Sequence, residues 1–530
     1  MKRPAPRSLR RLSQSFCLAI FLWLFLQTEY RGLDQLAWPV SLLFRIDPLA
    51  ALADALAPGP FHWTLLWPAL VVVVIAALLG RVFCGWVCPM GTLLDGCGAL
   101  SGKPRRGVSR GWQYIKYYLL FGLTVAGLFG VQQLGLFDPL SIFLRSLTLS
   151  LYPVWNWLLN GIYDIAYNVD IPLLSDALNA SYPWARDHVM AFVPPSFELA
   201  LFTLVLFTAI LLLEKLERRF WCRNLCPLGA LLGLCSVAAP LRREPSGDCG
   251  GCRTCAEACR GAAADGTRLR ASECLVCLDC SDYCPSSRAR FVWQGRLVLS
   301  PVDLPRRGLL TALAAGAVTA PVIRTLPAAA RQNDYLVRPP GAVAEEEFLR
   351  RCIRCGECMK VCIGQALHPA LLQAGAAALW TPLLVARLGY CEYNCTLCGQ
   401  VCPTGAIEKL PLEKKRQTVI GLAVFNKDRC LPYARGEECL VCEEHCPTPQ
   451  KAIVFDHKEV LTPEGIKSLN LPRVIKKRCI GCGICETRCP VVGTSAIRVI
   501  HEGETRAGSD PLQAIPAYGA MKRDSACKKA

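Results

Sequence analysis

Thirty-two cysteines in a chain of 530 residues fall into short, regular groups, and that regularity sets the chemistry they can do. The most regular are Cys249-x2-Cys252-x2-Cys255-x3-Cys259 and Cys274-x2-Cys277-x2-Cys280-x3-Cys284-Pro285. Three thiolates at this spacing wrap one face of a four-iron four-sulfur cubane, and a fourth must come from elsewhere. In two-cluster domains the last cysteine of each run serves the other cluster. On that rule Cys249, Cys252, Cys255 and Cys284 hold one cluster, and Cys274, Cys277, Cys280 and Cys259 hold its neighbour. Four more groups follow: Cys352-x2-Cys355-x2-Cys358-x3-Cys362, Cys391-x3-Cys395-x2-Cys398-x3-Cys402, Cys430-x8-Cys439-x2-Cys442-x3-Cys446 and Cys479-x2-Cys482-x2-Cys485-x3-Cys489. They suffice for four further clusters, about six in all. Their final cysteines admit adjacent exchange or a nested exchange, first group with fourth and second with third. The two altered spacings fall on the two inner groups, which favours nesting. Zinc sites usually pair two short Cys-x-x-Cys hooks, and disulfide scaffolds are usually short secreted chains. Neither fits.

A second kind of motif occurs twice. Cys84-Gly-Trp-Val-Cys88-Pro89-Met-Gly91 is matched by Cys222-Arg-Asn-Leu-Cys226-Pro227-Leu-Gly229, with Cys97 and Cys235 at equal distances beyond. Proline suits the first turn of a helix, so Cys88 and Cys226 would stand at helix N-termini, where the dipole favours negative charge. Four thiolates meeting across a pseudo-two-fold axis could hold one more 4Fe-4S cluster. A redox-active dithiol pair and plain structural cysteines are the alternatives. Cys97, Cys235 and Cys17 read as packing residues, and Cys527 has no partner group.

Four apolar stretches position these motifs: Phe16 to Leu26, Phe61 to Gly80, Tyr114 to Gly130 and Phe197 to Leu213. Lys2, Arg3, Arg7, Arg10 and Arg11 precede the first. Arg81, Lys103, Arg105, Arg106 and Arg110 follow the second, and Lys215, Arg218, Arg219 and Arg223 follow the fourth. By the positive-inside rule all three clusters lie in the cytoplasm, N-terminus included. The expected fold is an α-helical transmembrane bundle with internal duplication, plus α+β ferredoxin-like iron-sulfur domains. Asp47-Pro48-Leu49 and Asp138-Pro139-Leu140 are further matching pieces of the duplication. Their acids read as helix caps, with acceptance of quinol protons as the alternative. Arg145 to Pro195 is an aromatic-rich outer insertion. A fifth apolar stretch, Gly308 to Ile323, follows Arg306-Arg307 and precedes Ala328-Ala329-Ala330, as in a twin-arginine export signal. It is short for a span, and reads as an uncleaved anchor or a buried helix of a cytoplasmic domain. Expected domains are 1–240 (four helices with both Cys-x3-Cys-Pro motifs), 241–300 (two-cluster unit), 301–345 (apolar segment and linker) and 346–530 (four-cluster unit).

The net charge of +17 sits largely beside apolar segments, so nucleic acid is not an expected partner. There is no Cys-x-x-Cys-His for c-type haem, only His62 of the six histidines lies near an apolar stretch, which argues against bis-histidine haem in the bundle, and no Gly-x-Gly-x-x-Gly opens a nucleotide site. No catalytic residues are expected.

With these motifs in view, residues 1–300 resemble the NapH-type membrane subunit of periplasmic nitrate respiration. From Arg306-Arg307 onward, Arg338-Pro-Pro-Gly341, Glu345 to Glu347 and Cys352-Ile-Arg-Cys355-Gly-Glu-Cys358 resemble the NapG-type and MauM-type exported four-cluster subunit. A fusion of the two implies a multi-pass inner-membrane protein with a periplasmic C-terminal domain. It implies quinol oxidation and electron delivery to a cytochrome or other redox protein, as the electron-transfer subunit of a quinol dehydrogenase-like complex and not a stand-alone enzyme. Ile363 follows Cys362 where proline is common, and Cys391-Glu-Tyr-Asn-Cys395 replaces a Cys-x-x-Cys start, so nitrate is not carried over as terminal acceptor. A redox-sensing or assembly-type membrane protein and a cytoplasmic-facing ferredoxin-linked reductase subunit are the other readings. The relay as expected has a gap. Its two-cluster unit lies inside and its last domain outside, bridged only if the Cys84/Cys226 site and quinone do so.

Overall fold

The computed structural model describes residues 6–59, 62–100, 102, 110–168, 172–245, 252, 254–265, 268–284, 289–294, 302–325, 334–371, 373–462 and 465–507. Lys2, Arg3, Lys103, Arg105, Arg106, Cys249, Pro285, Ala328, Ala329, Ala330 and Cys527 lie outside them.

The duplication is visible in three dimensions. Helix α1 (Pro6–Gln27) leads into α2 (Pro48–Ala55), α3 (Trp63–Leu79), a wide π-type turn (Phe83–Val87) and α4 (Pro89–Leu100). The second half repeats this as α5 (Ile115–Leu128), the short α6 (Leu134–Phe137) and α7 (Pro139–Ser146). The aromatic insertion forms α8 (Tyr152–Asn168) and α9 (Pro172–His188). Then come α10 (Ala200–Leu212), another π-type turn (Trp221–Leu225) and α11 (Pro227–Cys235). Each Asp-Pro pair starts a helix: Asp47 accepts from the Leu49 amide at 2.9 Å, and Asp138 from the Ser141 amide at 2.7 Å. The halves interlock. Helix α2 packs on α11, and α7 packs on α4.

The four apolar stretches are α1, α3, α5 and α10. Among the described residues only Arg7–Gln27 combines the length and hydropathy of a membrane crossing, and Trp63–Leu79 is a shorter apolar helix. Glycines at positive φ cut two of them short, Gly80 just after α3 and Gly130 just beyond α5. Helix α3 nonetheless leaves Trp67, Leu70, Val71, Val74 and Leu78 exposed, and α10 leaves Leu201, Val205 and Leu212 exposed.

Two iron-sulfur units pack against this helical unit. Leu241–Pro245 pairs antiparallel with Ala289–Trp293, and between them run α12 (Thr254–Ala258) and α13 (Asp279–Asp282). This unit sits on the end that carries the Cys-x3-Cys-Pro turns, where Trp86 Nε1 donates to the Val276 carbonyl at 3.0 Å. The C-terminal unit, which carries two-stranded sheets including the long hairpin Ile453–Thr462 with Gly465–Val474, docks on other surfaces of the helical unit. Ser41 N donates to Glu357 at 2.6 Å, Thr396 N to Asp34 at 2.7 Å and Trp380 Nε1 to Thr203 at 3.3 Å, while Lys360 pairs with Glu29.

The fifth apolar stretch is α14 (Arg306–Thr325), packed lengthwise along α5. Gly308 lies against Tyr118, and a methyl on Gly316 would come within 2.3 Å of the Gly122 carbonyl oxygen. Helix α14 also touches the turn at Ala376–Ala378 of the C-terminal unit. Gly316→Leu is expected to separate α14 from α5 and cost about 1–3 kcal/mol by overpacking, read as a lowered melting temperature.

Candidate iron-sulfur sites

In the C-terminal unit the sixteen thiols surround four cavities. One is lined by Cys352, Cys355, Cys358 and Cys402, and the next by Cys391, Cys395, Cys398 and Cys362. A third is lined by Cys430, Cys439, Cys442 and Cys489, and a fourth by Cys479, Cys482, Cys485 and Cys446. Exchange is therefore between adjacent groups, and the nested arrangement favoured by spacing is corrected. The cause is local. A short helix holds the third cysteine of each group (Glu357–Lys360, Leu397–Val401, Val441–Glu444, Ile484–Arg488), and it carries the last cysteine round to the neighbouring cavity. The eight residues after Cys430 are absorbed by a helix at Leu431–Ala434, so the altered spacing changes the loop and not the pairing.

The cavities fit clusters better than single ions. Each is lined by four cysteines, the ligand number of a cubane. Among the described residues no three Cys, His, Asp or Glu side chains close on one point as zinc would require. The crossing sulfurs accept backbone amides: Cys362 from Ala366, Cys402 from Ile407, Cys446 from Ala452 and Cys489 from Ala496, each at 3.4 Å. Such bonds favour sulfur's negative charge and tune potential. In three groups the residues before and after the middle cysteine take positive φ: Val276 and Leu278, Arg354 and Gly356, Gly481 and Gly483. This alternation forms a nest of N–H groups that suits an anionic cluster. At Val276, a β-branched residue, the conformation is strained, and strain of this kind collects at functional loops. The two groups with altered spacing lack the alternation. Burial pushes the free thiols up, Cys482 to about 12 and Cys402 to about 11, so loading iron displaces protons.

In the two-cluster unit Cys259, Cys274, Cys277 and Cys280 are mutual neighbours, and Cys252 lies near Cys284. Both agree with crossed ligation, Cys249 lying outside the described residues. The Cys259 sulfur accepts from the Ala263 amide at 3.2 Å.

Cys84, Cys88, Cys222 and Cys226 converge, all buried. The Cys226 sulfur accepts from the Gly229 amide at 3.3 Å at the start of α11. Sequence reasoning missed the two arginines that hold this site, because it took them only as topological charges. Arg81 and Arg219 each stand three residues before the first cysteine of a motif and are almost fully buried. Arg219 Nη1 donates to the Cys84 carbonyl at 2.8 Å, and Arg81 Nη2 to the Cys222 carbonyl at 3.4 Å. Each half thus clasps the other. The same arginines reach carboxylates, Arg81 to Glu273 at 3.1 Å and Arg219 to Asp95 at 2.7 Å. Arg260 and Arg10 join Asp95 to Asp279. A methyl on Gly85 would come within 2.3 Å of the Leu275 carbonyl oxygen, so the two-cluster unit rests directly on the turn that holds Cys84. Among the described residues no cysteine forms a disulfide, and Cys17, Cys97 and Cys235 are half-buried outside these groups.

A 4Fe-4S binding domain model matches the chain twice, at residues 61–107 and 199–243, one match around each Cys-x3-Cys-Pro motif. The chain is also 38% identical over 194 residues to the methylamine utilization ferredoxin-type protein MauM of Methylorubrum extorquens, covering 36% of this chain and 82% of MauM. The chain belongs to the MauM and NapG family of ferredoxin-type proteins. Ferredoxin-type protein NapG of Escherichia coli is 38% identical over 173 residues, 32% of this chain and 73% of NapG. MauM of Paracoccus denitrificans is 35% identical over 182 residues, 32% of this chain and 77% of that protein. No solved structure matches. This MauM/NapG-type chain is an iron-sulfur electron-transfer protein carrying 4Fe-4S clusters.

Two outcomes follow for variants. Cys489→Ser is expected to alter the electron paramagnetic resonance signal of one cluster and leave intact the one facing Cys352, whereas nesting would disturb that one. Arg81→Gln and Arg219→Gln are expected to keep the iron, lower the midpoint potential at the Cys84 site and cost about 1–3 kcal/mol through lost buried hydrogen bonds. A redox titration with a melting curve checks both effects.

Proposed function

We propose that the chain is a membrane-embedded relay that takes electrons from quinol and delivers them to an external redox partner, the N-terminus and residues 241–300 facing the cytoplasm and 346–530 the periplasm. Residues 1–240 form the bilayer part, and 301–345 lead through α14 to the outer unit. This fuses a NapH-type portion to the MauM/NapG-type one. Bound 4Fe-4S clusters supply one-electron transfer; the protein's work is to hold, bury and space them. The ligands are the thiol sets described above, Cys249 completing the set with Cys252, Cys255 and Cys284.

The observation that carries this reading is the placement of the two iron-sulfur units on separate surfaces of one helical unit, with the buried four-thiol site beneath the first. From that site the packing continues. Trp221, next to Cys222, stacks on Phe137 with centroids 6.5 Å apart. Two residues before Phe137, a methyl on Gly135 would come within 2.1 Å of the Ile353 carbonyl oxygen, beside Cys352. These contacts support a bridge by protein across the gap expected from sequence. The exposed apolar faces of α3 and α10 support lipid as their solvent, and α14 beside α5 supports a crossing to the outer unit.

In anaerobic membranes holding the full chain, a quinol analogue is expected to reduce the clusters, seen as new electron paramagnetic resonance signals. A membrane-impermeant oxidant on the periplasmic side should then reoxidise them. Clusters that stay oxidised with quinol would contradict the donor, and reoxidation from the cytoplasmic side alone would contradict the orientation.

A further inference from the structure

Asp47 and Asp138 occupy equivalent places in the two halves and are 0% and 2% exposed. Each spends one oxygen capping its helix, Asp47 Oδ1 on the Leu49 amide and Asp138 Oδ2 on the Ser141 amide. Among the described residues no donor group reaches the second oxygen of either, Asp47 Oδ2 or Asp138 Oδ1. The two carboxyls neighbour each other, and burial together with Asp138 pushes Asp47 well above the usual carboxylate range. Capping requires only one oxygen each and no contact between the acids. Two carboxylates in contact in a water-excluded core cannot both ionise without a matching cation, so such a pair retains a proton.

Arg145, in the last turn of α7, is the cation near Asp138, and it donates to the Arg354 carbonyl at 3.3 Å. Asp54 on α2 is bonded to His62 at 2.9 Å, Asp95 on α4 is held by Arg219 and Arg260, and Lys116 on α5 by Glu273. Glu357 accepts from the Ser41 amide through one oxygen, and its other oxygen has no donor among the described residues. Arg45, in the turn before Asp47, is exposed. The pair also lies between two candidate cluster sites. Phe137, which precedes Asp138, stacks on Trp221 beside Cys222, while Arg145 connects Asp138 to the loop of Cys352 and Cys355.

We propose that Asp47 and Asp138 form a proton-binding site whose occupancy follows the charge carried by the relay. This rests on the relay reading above. One electron arriving from the donor adds one negative charge to the core. One proton from solvent then converts the singly protonated pair into two neutral carboxyls, and both proton and electron leave when the electron passes to the acceptor. Neither acid is a ligand, and the pair needs no motion beyond a proton transfer.

Asparagine caps helices as well as aspartate does, so Asp47→Asn and Asp138→Asn should fold and load iron. The test is a redox titration of the full chain at several pH values, with infrared difference spectra of oxidised and reduced protein. In the wild type, at least one midpoint potential is expected to fall as pH rises, and the protonated-carboxyl carbonyl band to change on reduction. Both effects should be lost in each variant while iron content and cluster signals persist. A wild type with full cluster signals but no pH dependence, or a carboxyl band that survives in both variants, overturns the proton site and leaves the relay standing. Absence of any cluster dependent on Cys84 and Cys222 overturns the relay reading and this inference with it.

Discussion

Sulfur held as thiolate carries negative charge, and burying it away from water is costly unless positive charge or N–H donors come with it. The Cys-x3-Cys-Pro pair meets this constraint by exchange between the two halves. Arg81 bonds the Cys222 carbonyl, and Arg219 bonds the Cys84 carbonyl. Neither half could place its guanidinium so without the other, which gives a physical reason for the duplication to be kept as an interlocked pair. The same two side chains reach Glu273 and Asp95, so compensating the thiol site also fixes the two-cluster unit upon it.

The C-terminal unit meets the same constraint. Its crossing sulfurs take backbone amides, and the loops around Cys355 and Cys482 turn N–H groups inward through left-handed residues. Backbone amides serve both kinds of site, the Gly229 amide reaching the Cys226 sulfur as the Ala366 amide reaches Cys362. What sets the Cys-x3-Cys-Pro pair apart is the pair of guanidinium groups exchanged between its two halves.

Much of this was legible in the sequence because ligand chemistry fixes local spacing. The six four-cysteine groups, the paired Cys-x3-Cys-Pro turns and the Asp-Pro helix starts follow from it. The pairing of C-terminal groups did not, since it depends on where a short helix delivers Cys402 or Cys489 in space. The altered spacings at Cys391 and Cys430 pointed toward nesting, yet they only reshape a loop. Arg81 and Arg219 were visible as charges, but their role was not. The signal that could have found them is their identical offset of three residues before Cys84 and Cys222. Helix α14 was ambiguous by length alone, and its packing along α5 came only with the structure.

Whether the buried thiols of both halves hold iron together decides the account. Iron and acid-labile sulfide should be quantified in anaerobically purified full chain and in Cys88→Ser and Cys226→Ser variants. Loss of the same cluster, about four irons per chain, from either variant is the predicted result. Unchanged iron and sulfide in both variants would contradict it.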